Sequence, residues 1–221
     1  MLLKPLKNLV YEDEDCYIFF GNKQFSSEES TLGQNALFFG HQTHDAFIKC
    51  ALELKGFSSS SFVSSSDGLK TSIPNQKLAI VTADCIPCFI YNDNNLYSLH
   101  LGWRGIHKGL FDKALSECSG KISVVIGPHI QEDSFEVGAD VINAFKEVLP
   151  AEEDSWYTPK NDSKYHVSLK DILLLKSKKL DIDFYASNID TFTNSEFNSY
   201  RRDHKTPDRN ISFAFLKNKV K

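Results

Sequence analysis

Apolar runs separated by turn-forming residues predict the elements in the middle of the chain. Residues 78–82 and 88–91 are rich in Val, Ile, Leu and Phe, which favour buried β-strands. Pro87 lies between the two runs and has no N–H to donate, so we expect it to mark a bend between two strand pieces. The asparagine-rich turn 92–95 separates the second piece from another extended run, 96–101, and this order predicts a β-hairpin.

Helical spacing of apolar residues predicts further elements after the hairpin. The two glycines of segment 102–105 predict a tight loop, and a helix is predicted over residues 106–115. Two later helices are predicted over 141–148 and 170–180, with Ser168 as the N-cap residue of the second. Strands are predicted at 122–126 and 211–216, and a surface loop at the serine-rich segment 58–66.

This mixture of strands and helices predicts an α/β fold of the α+β kind, and the pattern leaves the strand order open. With 221 residues the chain lies near the upper end of common single-domain sizes, so we expect one catalytic domain over residues 1–221. Apolar residues make up 41% and charged residues 24%, as in ordinary globular proteins. We therefore expect the chain to fold around its own core.

Charge and the N-terminal segment bear on partners and location. The 25 basic and 29 acidic residues give a formal net charge of -4, which disfavours binding to nucleic acid or to an anionic membrane. We expect a small-molecule partner and a monomer or weak homodimer. Lys4, Pro5 and Lys7 precede the acidic run 12–15, a pattern unlike a signal peptide. No segment approaches the roughly 18 consecutive apolar residues of a membrane span, so we expect a cytoplasmic protein.

The five cysteines form an odd, sparse set without the spacing of a disulfide framework. Such a set fits a reducing compartment and makes individual thiols candidates for chemistry. Cys85 and Cys88 have the Cys-x-x-Cys spacing of redox sites, but no helix is expected to begin there, so we interpret Cys88 as a core residue.

Three short stretches place histidine or cysteine beside predicted bends: His-Gln-Thr-His at 41–44, Thr-Ala-Asp-Cys at 82–85 and His-Leu-Gly-Trp-Arg-Gly at 100–105. Zinc prefers imidazole and thiolate, and a catalytic zinc site uses three protein ligands and leaves a fourth position open. Two histidines and one cysteine fit that count and would leave a net positive charge that acidifies a bound water. From residue types alone, a hydrogen-bonded core histidine is the commoner alternative for each histidine.

Five motifs, taken together and in order, resemble the laccase-domain family, also called multicopper polyphenol oxidoreductase-like proteins. This family includes purine nucleoside phosphorylases and peptidoglycan editing factors, and the resemblance spans about residues 17–216. The motifs are Gln-Thr-His at 42–44, Thr-Ala-Asp-Cys at 82–85, His-Leu-Gly-Trp-Arg-Gly at 100–105, Gly-Pro at 127–128 with Glu-Val-Gly at 136–138, and Ser-Tyr-Arg-Arg-Asp at 199–203.

The resemblance implies a layered sandwich of mixed β-sheets flanked by helices, with a zinc ion held by His44, Cys85 and His100. It also implies phosphorolysis of adenosine, inosine, guanosine and methylthioadenosine, together with adenosine deamination. Zinc is the expected metal rather than copper, because one His/His/Cys site lacks the many histidines of a multicopper cluster.

Arginines are the expected phosphate ligands, since guanidinium groups match phosphate oxygens. We select Arg104, with Arg201 or Arg202, as candidates. The family commonly has an active-site arginine in a Phe-Thr-Arg-Gly-Gly segment near the N-terminus. Lys23 stands in the corresponding stretch here, and it keeps the positive charge without the bidentate geometry.

Two further residues each have a catalytic and a structural interpretation. Asp84 is a candidate proton shuttle for deamination or, equally, a residue that holds the bend. Trp103 is a candidate stacking partner for a purine base or a residue that packs on its own helix. We expect His41 to be exposed or to lie behind the ligands.

Other functions remain open at this point. Cys85 as a nucleophile with a histidine base would give an amide hydrolase acting on peptidoglycan precursors, which requires a thiol free of metal. Copper-dependent, laccase-like polyphenol oxidation is a third possibility. A zinc-stabilised binding module without catalysis is a fourth.

Overall fold

The computed structural model describes residues 2–6, 9–24, 37–51, 61–63, 65–150, 153–178, 180–204 and 207–219. Within these ranges the strands are β1 (Leu2–Leu6), β2 (Val10–Glu12), β3 (Cys16–Phe20), β4 (Leu37–Gly40), β5 (Ile48–Cys50), β6 (Ser61–Val63), β7 (Gly68–Thr71), β8 (Lys77–Thr82), β9 (Ile86–Tyr91), β10 (Leu96–Leu101), β11 (Ile122–Ile126), β12 (Glu136–Gly138), β13 (Tyr157–Asn161), β14 (Lys164–Val167), β15 (Ile182–Ser187) and β16 (Asn210–Leu216). The helices are α1 (Trp103–His107), α2 (Leu110–Ser116), α3 (Ala139–Val148) and α4 (Leu169–Ser177), with a short 3-10 helix at Glu132–Ser134.

The strands form three sheets. A seven-stranded sheet has the order β1-β15-β11-β9-β10-β7-β5, and a six-stranded sheet has the order β2-β3-β16-β8-β4-β6. Both are mixed: for example, β9 pairs antiparallel with β10, whereas β1 and β11 pair parallel with β15. The third sheet, β12-β14-β13, is small and antiparallel. The predicted fold of mixed sheets is confirmed.

The six-stranded sheet packs on one face of the seven-stranded sheet. Phe20, Leu78 and Ala214 of the smaller sheet share a buried cluster with Phe89 and Val125 of the larger one. The rings of Phe20 and Phe89 lie 5.8 Å apart between centres. Burial of each such side chain stabilises the fold by about 1.5–3 kcal/mol, so this cluster holds the two sheets together.

The helices cover the opposite face of the seven-stranded sheet. Leu110, Phe145 and Ile172, from α2, α3 and α4, pack in one buried cluster with Cys88 and Ile90 of β9. Alternate residues of β9 therefore point into different cores, because successive side chains of a strand point to opposite faces. Both faces are buried, which explains why β9 is apolar throughout. No helix among the described residues is long and apolar enough to cross a membrane.

Most of the predicted elements are confirmed. The hairpin pairs Leu96 with Tyr91 and Leu101 with Ile86, as expected from its turn. Strands β8, β11 and β16 and helices α3 and α4 lie where the patterns place them. The Ser168 hydroxyl accepts a hydrogen bond from the Asp171 N–H at 3.2 Å, which confirms it as an N-cap.

The predicted bend at Pro87 was wrong by a few residues. Pro87 lies inside β9, opposite His100, and the bend is formed by residues 83–85. The pairing of β9 with β11 ends at Cys88, opposite Ile126, one residue after Pro87 along the chain. Pro87 therefore lies beyond this pairing, and its missing N–H interrupts no hydrogen bond to β11. The Pro87 carbonyl still accepts a bond from the Gly127 N–H at 3.0 Å.

The predicted tight loop at 102–105 was also wrong. Helix α1 begins directly at Trp103, with Gly102 as its N-cap, and the chain breaks later, at Lys108 and Gly109. Gly109 adopts a left-handed conformation (φ 83°), which glycine tolerates without strain. Part of the predicted serine loop forms β6, while residues 58–60 and 64 lie outside the described residues.

Candidate active site

The three predicted ligands lie together, although they come from separate parts of the chain. The Cys85 Sγ lies 3.9 Å from the His44 Nε2, and the donor atoms of His44, Cys85 and His100 all lie within 4.8 Å of one another. The two imidazole rings are 4.8 Å apart between centres and nearly perpendicular. Two of the ligands stand on connections between the sheets: His44 between β4 and β5, and Cys85 between β8 and β9.

This donor set fits a zinc ion. Zinc–sulfur distances of about 2.3 Å and zinc–nitrogen distances of about 2.0–2.1 Å, in tetrahedral geometry, place neighbouring donors roughly 3.4–3.6 Å apart. The observed separations need only a small inward movement to reach that range. Three protein ligands also leave one position for a water or substrate.

A buried carboxylate, Asp67, organises the ligands from behind. Its Oδ1 accepts hydrogen bonds from the His100 Nδ1 at 2.8 Å and from the His44 N–H at 2.9 Å. Its Oδ2 accepts from the backbone N–H groups of Thr43 and Asp45 at 3.0 and 2.8 Å, and from the Thr43 hydroxyl at 3.2 Å. The bond to Nδ1 leaves Nε2 of His100 as its ligand atom.

The pKa values of these groups are shifted by one another. Burial would raise the pKa of the Cys85 thiol, but the charge and hydrogen bonds of His100 and His44 lower it to about 6. Burial would lower the pKa of His100, but Cys85 and Asp67 raise it to about 9. Burial would likewise raise the pKa of Asp67, and its hydrogen bonds lower it to about 2. The site therefore favours the thiolate, which is the form that binds metal.

Backbone geometry brings the ligands close. His44 adopts φ 62°, a left-handed conformation that is uncommon outside glycine. The Asp67 carboxylate holds the N–H groups on both sides of it, which stabilises this conformation. At Gly102, a Cβ atom would lie 3.0 Å from both the Cys85 Sγ and the His44 Cδ2. A side chain at this position would therefore press on two of the candidate ligands.

Two cavities adjoin the ligands and share part of their lining. The larger, of about 660 Å³, has a mixed lining, in which polar side chains such as His41, Thr43 and Arg209 stand beside about as much apolar surface. The smaller, of about 280 Å³, is mostly apolar. It is lined by Trp103, Ile130, Phe135, Leu169 and Arg201, among others. His44, Cys85, Arg104 and Tyr200 line both cavities.

Arg104 and Trp103, two residues of the third motif, both line the cavities. The Arg104 guanidinium lies 4.4 Å from the centre of the Trp103 ring. Arg104 is exposed and forms no ion pair with any residue in the described part of the chain. Trp103 is half-buried: it packs against the helical core and also lines the smaller cavity, so both interpretations of this residue fit.

Asp84 lines the smaller cavity, and its carboxylate is committed to neighbouring groups. Its Oδ1 accepts from the Thr191 hydroxyl and its Oδ2 from the Arg201 N–H, both at 2.7 Å. Its backbone has φ 86°, and its carbonyl accepts from the Ile130 N–H. These contacts fit the structural interpretation, in which Asp84 holds the bend that presents Cys85.

The structure separates the two candidate arginines of the last motif. Arg201 lines the smaller cavity, and its Nη1 donates to the Glu136 carbonyl at 3.0 Å. Arg202 directs its guanidinium inward, where it forms an ion pair with Asp203. It also donates to the carbonyls of Thr191, Phe192, Asn194 and Phe197. With every guanidinium nitrogen engaged, Arg202 does not fit the predicted phosphate-binding role.

Lys23 does not fit the predicted place of the family arginine. Its ammonium lies 3.9 Å from the Asp203 carboxylate, with 41% of the side chain exposed, and it lines neither cavity. Its contact is with the motif at 199–203 rather than with the metal ligands.

His41, His129 and Cys88 lie outside the ligand cluster. His41 is exposed and lines the larger cavity. His129 is buried, and its Nδ1 donates to the Gly127 carbonyl at 2.8 Å. Cys88 is fully buried in the core, where burial raises the pKa of its thiol above the usual range. The interpretation of Cys88 as a core residue is confirmed.

Sequence reasoning missed Asp67 and the apolar wall formed by Ile130, Phe135 and Leu169. Asp67 follows a serine-rich stretch and has the appearance of an ordinary turn residue. The wall residues come from three segments far apart in sequence, so their spacing carried no signal.

Several known proteins with similar sequences are named purine nucleoside phosphorylases. A purine nucleoside phosphorylase of Haemophilus influenzae is 32% identical over 149 residues, covering 63% of this chain and 61% of the relative. The purine nucleoside phosphorylase YfiH of Shigella flexneri is 31% identical over 157 residues, covering 68% and 63%. The chain thus matches less than two thirds of the length of these relatives. YlmD of Bacillus subtilis, also named a purine nucleoside phosphorylase, is 26% identical over 213 residues, covering 89% and 76%.

Solved structures share the fold. YfiH of Bacillus licheniformis has a TM-score of 0.80 at 23% identity, covering 91% of this chain and 93% of that one. A Neisseria meningitidis protein has a TM-score of 0.77 at 22% identity, covering 95% and 99%. The model of the multi-copper polyphenol oxidoreductase laccase family matches residues 13–217. Because that match covers most of the 221 residues, the chain belongs to the multi-copper polyphenol oxidoreductase laccase family.

Proposed function

We propose that this protein is a zinc-dependent purine nucleoside phosphorylase. The observation that carries the proposal is the cluster of His44, Cys85 and His100 beside a larger cavity of mixed polarity and a smaller, mostly apolar one. Relatives from Haemophilus influenzae and Shigella flexneri that bear this name support it. A zinc ion held by these three side chains would supply a Lewis acid at the junction of the cavities.

Phosphorolysis requires phosphate on one side of the sugar and the purine base on the other. The bond between C1′ and the base nitrogen breaks, the electron pair leaves with the base, and a phosphate oxygen bonds to C1′. The products are the free base, which takes up a proton, and a pentose 1-phosphate. A site for this reaction needs cationic donors for phosphate and a surface that accepts a planar base.

The residues at the junction match these needs. Arg104 reaches both cavities and has no carboxylate partner in the described part of the chain, so its N–H groups are available to phosphate oxygens. Arg209 adds a second positive charge to the lining of the larger cavity. A cavity of about 660 Å³ is within the size range of small-molecule sites.

The family resemblance also implies adenosine deamination, for which Asp84 was the candidate proton shuttle. Both Asp84 oxygens accept hydrogen bonds from within the protein, from Thr191 and Arg201. We therefore restrict the proposal to phosphorolysis and let the assay test deamination. Copper-dependent oxidation is disfavoured because, within the described ranges, this cluster of three is the only group of potential metal ligands.

The first experiment combines metal content with a product assay. Elemental analysis of the purified protein is expected to show near-stoichiometric zinc that falls in Cys85→Ala. Cys118→Ala is the matched control, because Cys118 is a half-buried thiol just beyond the end of α2 that donates to the Ala114 carbonyl. The zinc content of this variant should stay that of the wild type.

The product assay supplies inosine or adenosine with and without phosphate. Release of hypoxanthine or adenine only when phosphate is present supports the proposal. Inosine formed from adenosine without phosphate identifies deamination instead. Zinc without turnover of any nucleoside contradicts the proposal, and hydrolysis of amides by a zinc-free protein would establish Cys85 as a nucleophile.

A further inference from the structure

The two cavities differ in chemistry, and the difference orients a substrate. Residues found in the smaller cavity alone include Trp103, Ile130, Phe135 and Leu169, which are aromatic or aliphatic. Residues found in the larger cavity alone include the polar or charged Gln42, Thr43, Thr82 and Arg209 beside the apolar Val81, so its lining is mixed rather than mostly apolar. The candidate metal ligands His44 and Cys85 line both cavities. A substrate that extends from one cavity into the other would therefore contact both environments beside the metal site.

We propose that the smaller cavity, which we call the base compartment, binds the purine base of the nucleoside with phosphate placed in the larger cavity. This inference rests on the proposed function and names the part of the site that each half of the reaction uses. A purine has two apolar faces and a polar edge, and it stacks on aromatic side chains and guanidinium planes. Phosphate is charged on every side and needs cationic donors.

The walls of the base compartment are fixed before any ligand arrives. Ile130 and Leu169 are each 3% exposed and form a buried apolar surface. Two backbone hydrogen bonds fix the main chain of Phe135. Its N–H donates to the Gln131 carbonyl at 3.0 Å, and its carbonyl accepts from the Val167 N–H at 3.2 Å. Such a surface binds a planar ligand without first having to become ordered.

Two guanidinium groups face the aromatic walls. Arg201 lies with its guanidinium carbon 5.6 Å from the centre of the Phe135 ring, and Arg104 lies 4.4 Å from that of Trp103. Guanidinium planes are stacking surfaces for bases and also donate to ring nitrogens and carbonyl oxygens. The base compartment therefore offers both a stacking surface and donors for the purine edge.

A substitution in the base compartment should change the KM for the nucleoside without changing the KM for phosphate. Phe135→Ala should raise the KM for inosine by about 5- to 150-fold, the range of base–aromatic stacking, and leave the KM for phosphate within about twofold. Phe135→Leu keeps an apolar side chain for folding but lacks the ring, and it should show the same pattern. The matched control is Phe215→Ala, since Phe215 stacks on Tyr17 in a different apolar cluster, on the other sheet. This control should change neither constant.

Binding of free hypoxanthine tests the base compartment without any turnover. Of the two tryptophans, Trp103 lines the compartment while Trp156 is 1% exposed in the core, so hypoxanthine should quench the fluorescence of Trp103. Trp103→Phe should abolish the quenching, and both Phe135 variants should weaken binding in the range given above.

The outcomes distinguish the two proposals. Hypoxanthine binding that depends on Phe135, in a protein that never releases base from nucleosides, would support the base compartment and overturn phosphorolysis. Phosphorolysis with an unchanged KM for inosine in folded Phe135 variants, or with a raised KM for phosphate instead, would overturn the base compartment alone.

Discussion

Replacing Asp67 with asparagine removes the charge that receives the Nδ1–H of His100. Five donors surround the two carboxylate oxygens: one from His100, two from Thr43 and one each from the backbones of His44 and Asp45. An asparagine offers one oxygen and one NH₂ group in the same space, so at least one donor loses its acceptor. The metal ligands His44 and His100 are then less firmly placed.

The size of the effect follows from the bond that is lost. A hydrogen bond to an ionised group contributes roughly 1.5–3 kcal/mol, and loss of a carboxylate behind a metal-binding histidine typically weakens metal affinity by about 10- to 100-fold. We expect Asp67→Asn to weaken zinc binding in that range, measured by competition with a chromophoric chelator. Thermal unfolding of the metal-free proteins establishes that the variant is folded.

Asp45→Asn is the matched control for Asp67→Asn. It removes the same charge one residue from His44, but its Oδ1 contacts the Lys108 ammonium and the Ala46 N–H rather than a metal ligand. Its zinc affinity should stay close to that of the wild type. At saturating cobalt, only the Asp67 variant should show shifted metal absorption bands. Equal zinc affinities and equal cobalt spectra for the two variants would refute the positioning role of Asp67.

Four further predictions address other parts of the molecule. Gly102→Ala should lower the zinc content, because its new methyl group would lie 3.0 Å from two candidate ligands and displace them by a few tenths of an ångström. Gly105→Ala, whose nearest contact is an ordinary 3.5 Å, should keep it. Burial lowers the pKa of His129 from 6.5 to about 4 in the folded protein. As the pH falls, His129 is therefore protonated at a higher pH in the unfolded chain than in the folded one. The free energy of unfolding should therefore fall by up to about 3 kcal/mol as the pH drops through that window. In urea titrations His129→Asn should flatten this dependence, and an equally steep one would contradict the reasoning. Arg202→Ala should lower the free energy of unfolding by about 2 kcal/mol or more, since several backbone carbonyls lose their donor; an unchanged melting temperature would count against this. Lys23→Ala should leave phosphorolysis within about threefold of the wild type, because the side chain lines neither cavity, and a loss beyond about tenfold in kcat/KM would return it to the mechanism.

Sequence patterns predicted those parts of the fold that depend on local order. The hairpin of β9 and β10 has apolar runs on both sides of an asparagine-rich turn, and Ser168 caps a helix three residues before the N–H that it accepts. Both signals are contained within about a dozen residues, which is the length over which turn and cap chemistry acts. Their positions were therefore predictable.

The parts that the sequence did not predict depend on contacts between distant segments. Pro87 was placed in a bend because a proline disrupts a ladder, yet the sheet ends at that point on one side and no donor is missed. Asp67 bonds to His100 and to the 43–45 loop only because β7 and β10 are neighbours in the sheet. The wall of Ile130, Phe135 and Leu169 likewise exists only after the chain has folded. The motif resemblance predicted the candidate metal ligands, whereas the residues that surround them are brought together only by the topology of the fold.

The connections that carry His44 and Cys85 each pass from the six-stranded sheet to the seven-stranded sheet, and His100 belongs to the second of these sheets. A metal ion held by all three would link the β4–β5 connection and the β8–β9 connection to strand β10 of the seven-stranded sheet. It would therefore cross-link the two sheets at the edge of the sandwich. Removal of the metal by a chelator would then also remove this cross-link between the sheets. Only the apolar core between the sheets would then stabilise that edge.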